Sequence, residues 1–472
     1  MQNAKIFFGS EAVTKEHVNK RHSPYNGEVV STVPLCNEED VKKALQIAQD
    51  AAKFARKSTL AQRCSWILDV AEKLRENKED MARTITDEVG KPITFARVEV
   101  ERCIETLTLS AETMRTMVGE TISTDAMPSG KKTMAFFRRE PVGVVVAITP
   151  FNFPLNLVAH KLGPALVAGN AVVLKPTPEA PLTAYKFAKL FIESEYAIPD
   201  ALSVVYGDAD VGSALITSDI PRVISFTGSV PVGNIITKSA GIKKVGLELG
   251  GNAATFIEKS ADLALAATKC ALGAFVNSGQ VCISLQRIYV QADIYDEFAE
   301  LMAAATKKLK VGSPYDDATF MGPLIDDEAC ARALRWVESA IEEGAIPLLV
   351  PHVEGRIFHP CVMANVRDDM AIVCEEVFAP IVSLVKVDSF DEAIEKMNDS
   401  PYGLQYSVFT NDLSLMNRAV DELEAGGIVI NDMPTLRFDI QPYGGVKLSG
   451  VGREGPRFAI EEMTEIKSVV IC

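Results

Sequence analysis

Hydrophobic positions follow two rhythms along the chain. Up to about residue 40 the apolar runs are short and broken by turn signals such as Pro24-Tyr25-Asn26-Gly27. From Asn37, a residue suited to cap a helix, Val41, Ala44, Leu45, Ala48 and Ala52 recur at helical spacing. The same spacing predicts a second helix over 60–75 and a third over 98–117. Between residues 134 and 250 short β-rich runs take over, at 142–148, 171–174, 202–205, 223–226 and 245–249. Apolar helical segments such as 180–194 lie between them, so this stretch reads as βαβ units forming a doubly wound parallel sheet buried on both faces.

Beyond Gly251 a second mixed region is predicted, with helices over 261–277 and 293–309 and strands over 283–290, 381–387 and 428–430. The last run, Ile466–Ile471, has no sequence-adjacent partner and is expected to pair with another subunit's sheet. No internal repeat or low-complexity linker separates the regions, so the domains are expected to interleave.

Composition narrows the class. The chain has 472 residues, 47% of them hydrophobic, which suits two or three domains and excludes disorder. A net charge of −15 repels phosphate backbones, so nucleic acid is not an expected partner. The uncharged stretch 142–159 contains Asn152, Asn156, Pro150 and Pro154, which lipid would leave unsatisfied, so no membrane span is expected. Neither a signal-peptide layout nor a CxxC pair among the nine cysteines is present, and a cytoplasmic location with reduced thiols is expected.

Candidate chemistry gathers at strand ends and turns. Cys282 sits in a Gly-containing turn between a predicted helix and strand, where a thiol can meet a ligand; a lone cysteine is more commonly an inert buried thiol. Glu248 closes an apolar strand before two glycines, so burial can raise its pKa and fit it for base catalysis; an exposed strand-end acid is the bland alternative. Asn152, between Pro150 and Pro154 after the most apolar strand, is either a rigid oxyanion donor or a turn asparagine. Residues 226–233 run from a strand into a helix start able to bind phosphate, although GxGxxG is absent, and Lys175 follows another strand.

Taken together, the ordered motifs TPFNFP (149–154), KLGPALVAGN (161–170), LKP (174–176), FTGS (226–229), ELGG (248–251), GQVC (279–282), EEVFAP (375–380) and PYGGVKLSGVGRE (442–454) resemble the aldehyde dehydrogenase superfamily over nearly the whole length. The resemblance implies an α/β fold with a Rossmann-type cofactor domain, an α/β catalytic domain and a small β oligomerisation arm. It implies boundaries at 1–122 and 142–250 for the dinucleotide-binding domain and 251–448 for the catalytic domain, with 123–141 and 449–472 bridging subunits of a homodimer or homotetramer.

The same resemblance assigns roles. Cys282 would be the nucleophile, Asn152 and the Cys282 N–H the oxyanion donors, Glu248 the base for thioester hydrolysis, and Lys161 and Glu454 a supporting proton relay. NAD or NADP would meet Thr149, Phe151, Gly228, Ser229, Gly233 and Leu249, with Lys175 and Pro178 near the adenine ribose and Glu376 and Phe378 at the nicotinamide end. NAD-preferring relatives often carry glutamate where Pro178 stands, so NADP acceptance is expected, with Glu179 a partial substitute. No metal is implied. Arg453 is expected to pair with Glu465 at the subunit interface.

Phe153, His160, Val281, Ile283, Arg437 and Tyr443 are expected to line the substrate tunnel, with Arg102 arriving from the third helix. Relatives acting on anionic aldehydes place arginine directly before the nucleophile, where this chain has Val281; Arg437 and Arg102 argue the other way unless both are ion-pair partners. The stretches GQVCISLQRIYV and MPTLRFDIQPYGGVK look most like the lactaldehyde dehydrogenase branch, which takes lactaldehyde and glycolaldehyde. Succinate semialdehyde or a phospho- or phosphonoaldehyde is the alternative. Two other classes stay open: a Cys-dependent hydrolase or acyltransferase, for which His160 is the sole histidine near a site motif, and a non-catalytic dinucleotide-binding protein.

Overall fold

The structure is a computed structural model that describes residues 2–472. Its first long helix, Glu38–Ala55, starts where Asn37 and Asp40 form a reciprocal capping box. A second, Leu60–Glu76, follows the Thr59 cap. The predicted third helix differs. Lys78–Val89 forms a helix of its own, ended by Gly90 in the left-handed region, and after Pro92 helix α1 (Ile93–Thr116) begins five residues before the predicted start. Gly90-Lys91-Pro92 is the punctuation between them.

The βαβ reading holds. Strands β1 (Val144–Ile148), β2 (Ala171–Lys175), β3 (Leu202–Val204), β4 (Val223–Thr227) and β5 (Lys244–Glu248) are parallel, in the spatial order β5-β4-β1-β2-β3. Antiparallel strands Gly450–Val451 and Ile6–Phe8 flank them, and Glu11–Val13 completes eight strands. Helix α2 (Asn156–Val167) follows β1 and is buried at every position, as a helix between sheet and neighbouring helices must be. Helix α3 (Val230–Ser239) follows β4.

Residues 253–430 build a second, seven-stranded sheet, parallel except for its edge strand Ile346–Leu349. A third, antiparallel sheet joins Glu120–Thr121, Met134–Pro141 and Thr464–Ile471. The C-terminal strand has a partner within its own chain, Thr464 with Pro141 through Ile471 with Met134, because residues 134–141 form a strand ahead of the predicted run at 142–148; its other edge pairs with no strand among the described residues. Within the chain, Arg453 and Glu465 take other partners. Arg453 donates to the carbonyls of Gly445 and Gly452, and Glu465 pairs with Lys244. All nine cysteines are free thiols, and no helix among the described residues is long and apolar enough to cross a membrane.

Candidate active site

The strand order reverses between β1 and β4, and a crevice at such a switch point, outside the carboxyl ends of the strands, is where doubly wound sheets take ligands. A cavity of about 480 Å³ occupies that place. Its walls bring together Asn152, Phe151 and Phe153 from the segment after β1, Gly228 and Ser229 after β4, and Glu248 and Leu249 at the end of β5. The opposite wall supplies Val281, Cys282, Ile283, Glu376, Phe378, Arg437, Tyr443 and Glu454, with Arg102 from α1.

Cys282 is delivered by an unusual turn. The helix Leu263–Phe275 ends, and Asn277, Ser278 and Gly279 follow at φ +50°, +56° and +73°. Each non-glycine residue in that region costs roughly 1–3 kcal/mol, so the turn needs anchors. Ser278 Oγ donates to the Gly322 carbonyl at 2.8 Å, and Gln280 Oε1 accepts the Ile325 N–H at 2.9 Å. A Cβ on Gly251 would lie 2.1 Å from the Cys282 carbonyl oxygen, so only glycine lets the strand end approach this loop.

Burial pushes the Cys282 thiol up to about 12, opposed by the Tyr443 hydroxyl 3.0 Å from the sulfur and by Arg437. Glu248 is buried, one carboxyl oxygen has no hydrogen-bond partner, and burial, then the nearby charge of Glu454, raises its pKa well above the carboxylate range. Glu454 behaves oppositely. Burial would raise it, but Lys161 and Arg437 pull it down to about 2, with Lys161 Nζ at 3.4 Å and Arg437 Nη2 at 3.0 Å. Two carboxyls of one cavity wall are thus shifted in opposite directions. Lys161 is buried behind the wall, also 3.1 Å from Ser225 Oγ. Asn152 donates one N–H to the Gln280 carbonyl at 3.1 Å, beside the Cys282 turn.

The cofactor-side residues divide. Helix α3 begins at the cavity edge, and its cap Ser229 makes no side-chain cap bond, so the N–H groups of the first turn are available to an anion. Glu376 accepts the Gly251 N–H at 3.0 Å and is raised to about 7 by burial; Phe378, at φ +48°, meets Phe151 edge-on at 6.0 Å. Thr149, Lys175, Pro178 and Gly233 do not reach this cavity. Thr149 is buried with its hydroxyl unpartnered, Gly233 packs beside Leu249, and the Lys175 ammonium, also buried, is lowered by desolvation. Pro178 and Glu179 line a second cavity of about 240 Å³ with Lys20, Arg21 and Asp208.

On the substrate side one expectation is corrected. His160 does not line the cavity: it is 1% exposed because α2 is buried all round, and its Nε2 lies 2.9 Å from Asp439 Oδ1. Burial, and then the nearby charge of Arg437, lowers its pKa. Asp439, unrecognised in the sequence, also takes two bonds from Arg102, at 2.9 and 2.7 Å, and lies 3.8 Å from Arg437. Both arginines are therefore ion-pair partners as well as wall residues. Lys91 and Glu99, likewise unrecognised, form a buried pair at the wall, with the Lys91 ammonium 3.9 Å from the Phe153 ring centre.

Comparison with known proteins places these features in a family. The model of the aldehyde dehydrogenase family matches residues 11–469. A 3-sulfolactaldehyde dehydrogenase of Priestia aryabhattai is 44% identical over 451 residues, 95% of this chain and 93% of that protein. A lactaldehyde dehydrogenase of Methanococcus aeolicus is 37% identical over 470 residues, 99% of both chains. The NADP-dependent glyceraldehyde-3-phosphate dehydrogenase of Bacillus halodurans, solved with NADP, superposes with a TM-score of 0.97 at 33% identity, covering 99% of each chain.

Proposed function

Because the chain belongs to the aldehyde dehydrogenase family, we propose that it oxidises a small hydroxyaldehyde of the lactaldehyde or glycolaldehyde type to its carboxylic acid, using NAD or NADP and a thioester on Cys282. The observation that carries this reading is the pairing, across one cavity, of the Cys282 thiol with the buried, partly unpartnered carboxyl of Glu248.

Cys282, as thiolate, forms a bond to the carbonyl carbon, and the π pair moves to oxygen to give a thiohemiacetal oxyanion. The second N–H of Asn152 and the Cys282 N–H are the donors for that charge, each worth roughly 3–4 kcal/mol in a transition state. NAD or NADP, when bound, supplies a two-electron hydride acceptor, and the C–H bond that is lost leaves a thioester on Cys282. Glu248 then takes a proton from water as the water oxygen attacks the thioester, and sulfur departs with the C–S pair. Glu454, held ionised by Lys161 and Arg437, keeps Glu248 basic enough to accept that proton.

The residues present fit the dinucleotide. The uncapped start of α3 with Gly228 and Ser229 suits a pyrophosphate, Glu376 a ribose hydroxyl, and Lys175 with the Pro178–Glu179 turn the adenine ribose. Assembly as a homodimer or homotetramer through the three-stranded arm fits its exposed Ile466, Val470 and Ile471.

A second reading, an aldehyde carrying a carboxylate, phosphate or sulfonate, is favoured by Arg102, whose side chain is 25% exposed at the cavity wall. A panel of lactaldehyde, glycolaldehyde, succinate semialdehyde and 3-sulfolactaldehyde, assayed with both cofactors, separates the two. The first reading expects a kcat/KM for a neutral hydroxyaldehyde about tenfold or more above the anionic ones, and no turnover after Cys282→Ala. The reverse order of substrates replaces it with the second, and aldehyde oxidation that survives Cys282→Ala overturns both.

A further inference from the structure

One polar group touches the sulfur and has no part in the steps above. The Tyr443 oxygen lies 3.0 Å from Cys282 Sγ, its only hydrogen-bond partner among the described residues. The tyrosine is held from several sides. Its N–H donates to the Glu454 carbonyl at 3.1 Å, and the Glu454 N–H donates back to the Tyr443 carbonyl at 2.6 Å. The Arg437 guanidinium covers the ring face 3.7 Å from its centre, and Arg437 is itself fixed by Glu454 at 3.0 Å. Val281, Ile283 and Leu404 pack around the ring. Phenylalanine would satisfy all of these contacts, cation–π included. Only the bond to sulfur requires the hydroxyl, and a buried hydroxyl without a partner is costly.

We propose that Tyr443 is a catalytic residue of aldehyde oxidation, its O–H donating to Cys282 Sγ both when the thiolate attacks and when it leaves. This rests on the reading of Cys282 as the nucleophile. The proton stays on the phenol throughout. In the attack the sulfur lone pair forms the S–C bond, and in deacylation the C–S pair returns to sulfur, where the same O–H bond receives the charge. Burial, and then the negative charge of Cys282 itself, push the Tyr443 ionisation well above the ordinary phenol range, so the tyrosine is the donor and not a base. Of the charged and titratable groups that bear on the thiol, Arg437 also favours its ionised form, while Glu376 and Glu248 oppose it. Tyr443 alone touches the sulfur, and its bond is the largest influence opposing burial.

The test is the rate at which iodoacetamide alkylates Cys282 in the cofactor-free protein as pH is varied, read on the Cys282 peptide by mass spectrometry, in wild type and Tyr443→Phe. A hydrogen bond to a charged acceptor corresponds to about one to two pKa units, and the gain in intrinsic nucleophilicity as the pKa rises cancels nearly half of that. Tyr443→Phe is therefore expected to slow alkylation roughly three- to tenfold at each pH below the thiol's titration, and to lower kcat with little change in KM. Unchanged melting temperature and cofactor affinity confirm that the variant is folded. A rate profile superimposable on wild type overturns the inference. If Cys282→Ala abolishes aldehyde oxidation while Tyr443→Phe alkylates normally, this inference alone fails; if Cys282→Ala remains active, the reading beneath it fails too.

Discussion

Replacing Asp439 by alanine tests whether one buried carboxylate organises the mouth of the cavity. Asp439 accepts two bonds from Arg102, at 2.9 and 2.7 Å, and one from the His160 ring, at 2.9 Å, with Arg437 Nε at 3.8 Å. Burial would raise its pKa, but the bonds from His160 and Arg102 hold it well below the carboxylate range. Bonds to a charged group contribute about 1.5–3 kcal/mol each, so three give an upper sum of about 5–9 kcal/mol. Arg102 keeps 25% of its side chain in water and rehydrates when released, which discounts its two bonds. The expected loss is then about 3–5 kcal/mol, the range for uncovering one partner of a buried pair. Urea unfolding of the cofactor-free protein reads this directly, because buried Trp66 lies on the helix that packs against α1, where Arg102 sits.

The pH dependence fixes the cause. An acid with a depressed folded pKa contributes stability that is fully present above its unfolded value, about 3.9, and lost only as pH falls through the folded one. The gap between wild type and Asp439→Ala is expected to stay constant from about pH 9 to pH 5. A gap below about 1 kcal/mol at neutral pH, or one already changing near the ordinary histidine pKa of about 6.5, refutes the argument.

Other variants probe separate parts. Glu248→Gln is expected to give a burst of reduced cofactor equal to the enzyme, followed by turnover slowed about 10²–10⁴-fold, because the thioester forms but its hydrolysis loses the base; stopped-flow absorbance reads both phases, and unimpaired steady-state turnover contradicts it. In wild type, kcat is expected to rise with pH above the ordinary carboxylate range, since the raised Glu248 carboxyl acts only when deprotonated; a flat profile between about pH 5 and 9 counts against this. Gly251→Ala places a Cβ 2.1 Å from the Cys282 carbonyl oxygen and is expected to cost about 1–3 kcal/mol and to slow Cys282 alkylation; wild-type stability and reactivity together would exclude that contact as important. Glu179→Gln removes a carboxylate from the cavity that also holds Lys20 and Arg21, and is expected to raise the NADP-to-NAD ratio of kcat/KM by about tenfold; an unchanged ratio places the adenine ribose elsewhere.

What the sequence made legible was local. The five parallel strands announce themselves because a strand buried on both faces is a short unbroken apolar run, and the runs ending at Ile148, Thr227 and Glu248 hand their following residues to the cavity. The start of α1 at Ile93 is hard to read, because its first turn holds β-branched Ile93 and Thr94 and no side chain caps it. The punctuation was present in Gly90-Lys91-Pro92, a left-handed stop followed by a helix-starting proline. The C-terminal strand shows no partner in the sequence because Arg138, Arg139 and Glu140 cut the apolar run Met134–Phe137 short, and the pairing spans more than three hundred residues.

Charge pairing was the least legible feature, and it changes the argument about substrate. Arg102 and Arg437 suggest, from sequence, a cationic mouth that would recruit anions. Arg102 meets Asp439 across 337 residues of chain, a separation with no local period to reveal it. Arg437 is matched by Glu454, and Lys91 by Glu99. With each cation paired, no uncompensated positive field remains at the wall to draw an anion from solution. Selection must then come from directed bonds. Arg102 spends Nε and Nη2 on Asp439, while its Nη1 makes no hydrogen bond among the described residues. A single donor so placed serves a neutral hydroxyl as well as a charged oxygen, and the difference between them is set by how much water each must shed. This pairing supports the proposed hydroxyaldehyde reading, in which desolvation costs least, while an anionic substrate would depend on that one Nη1.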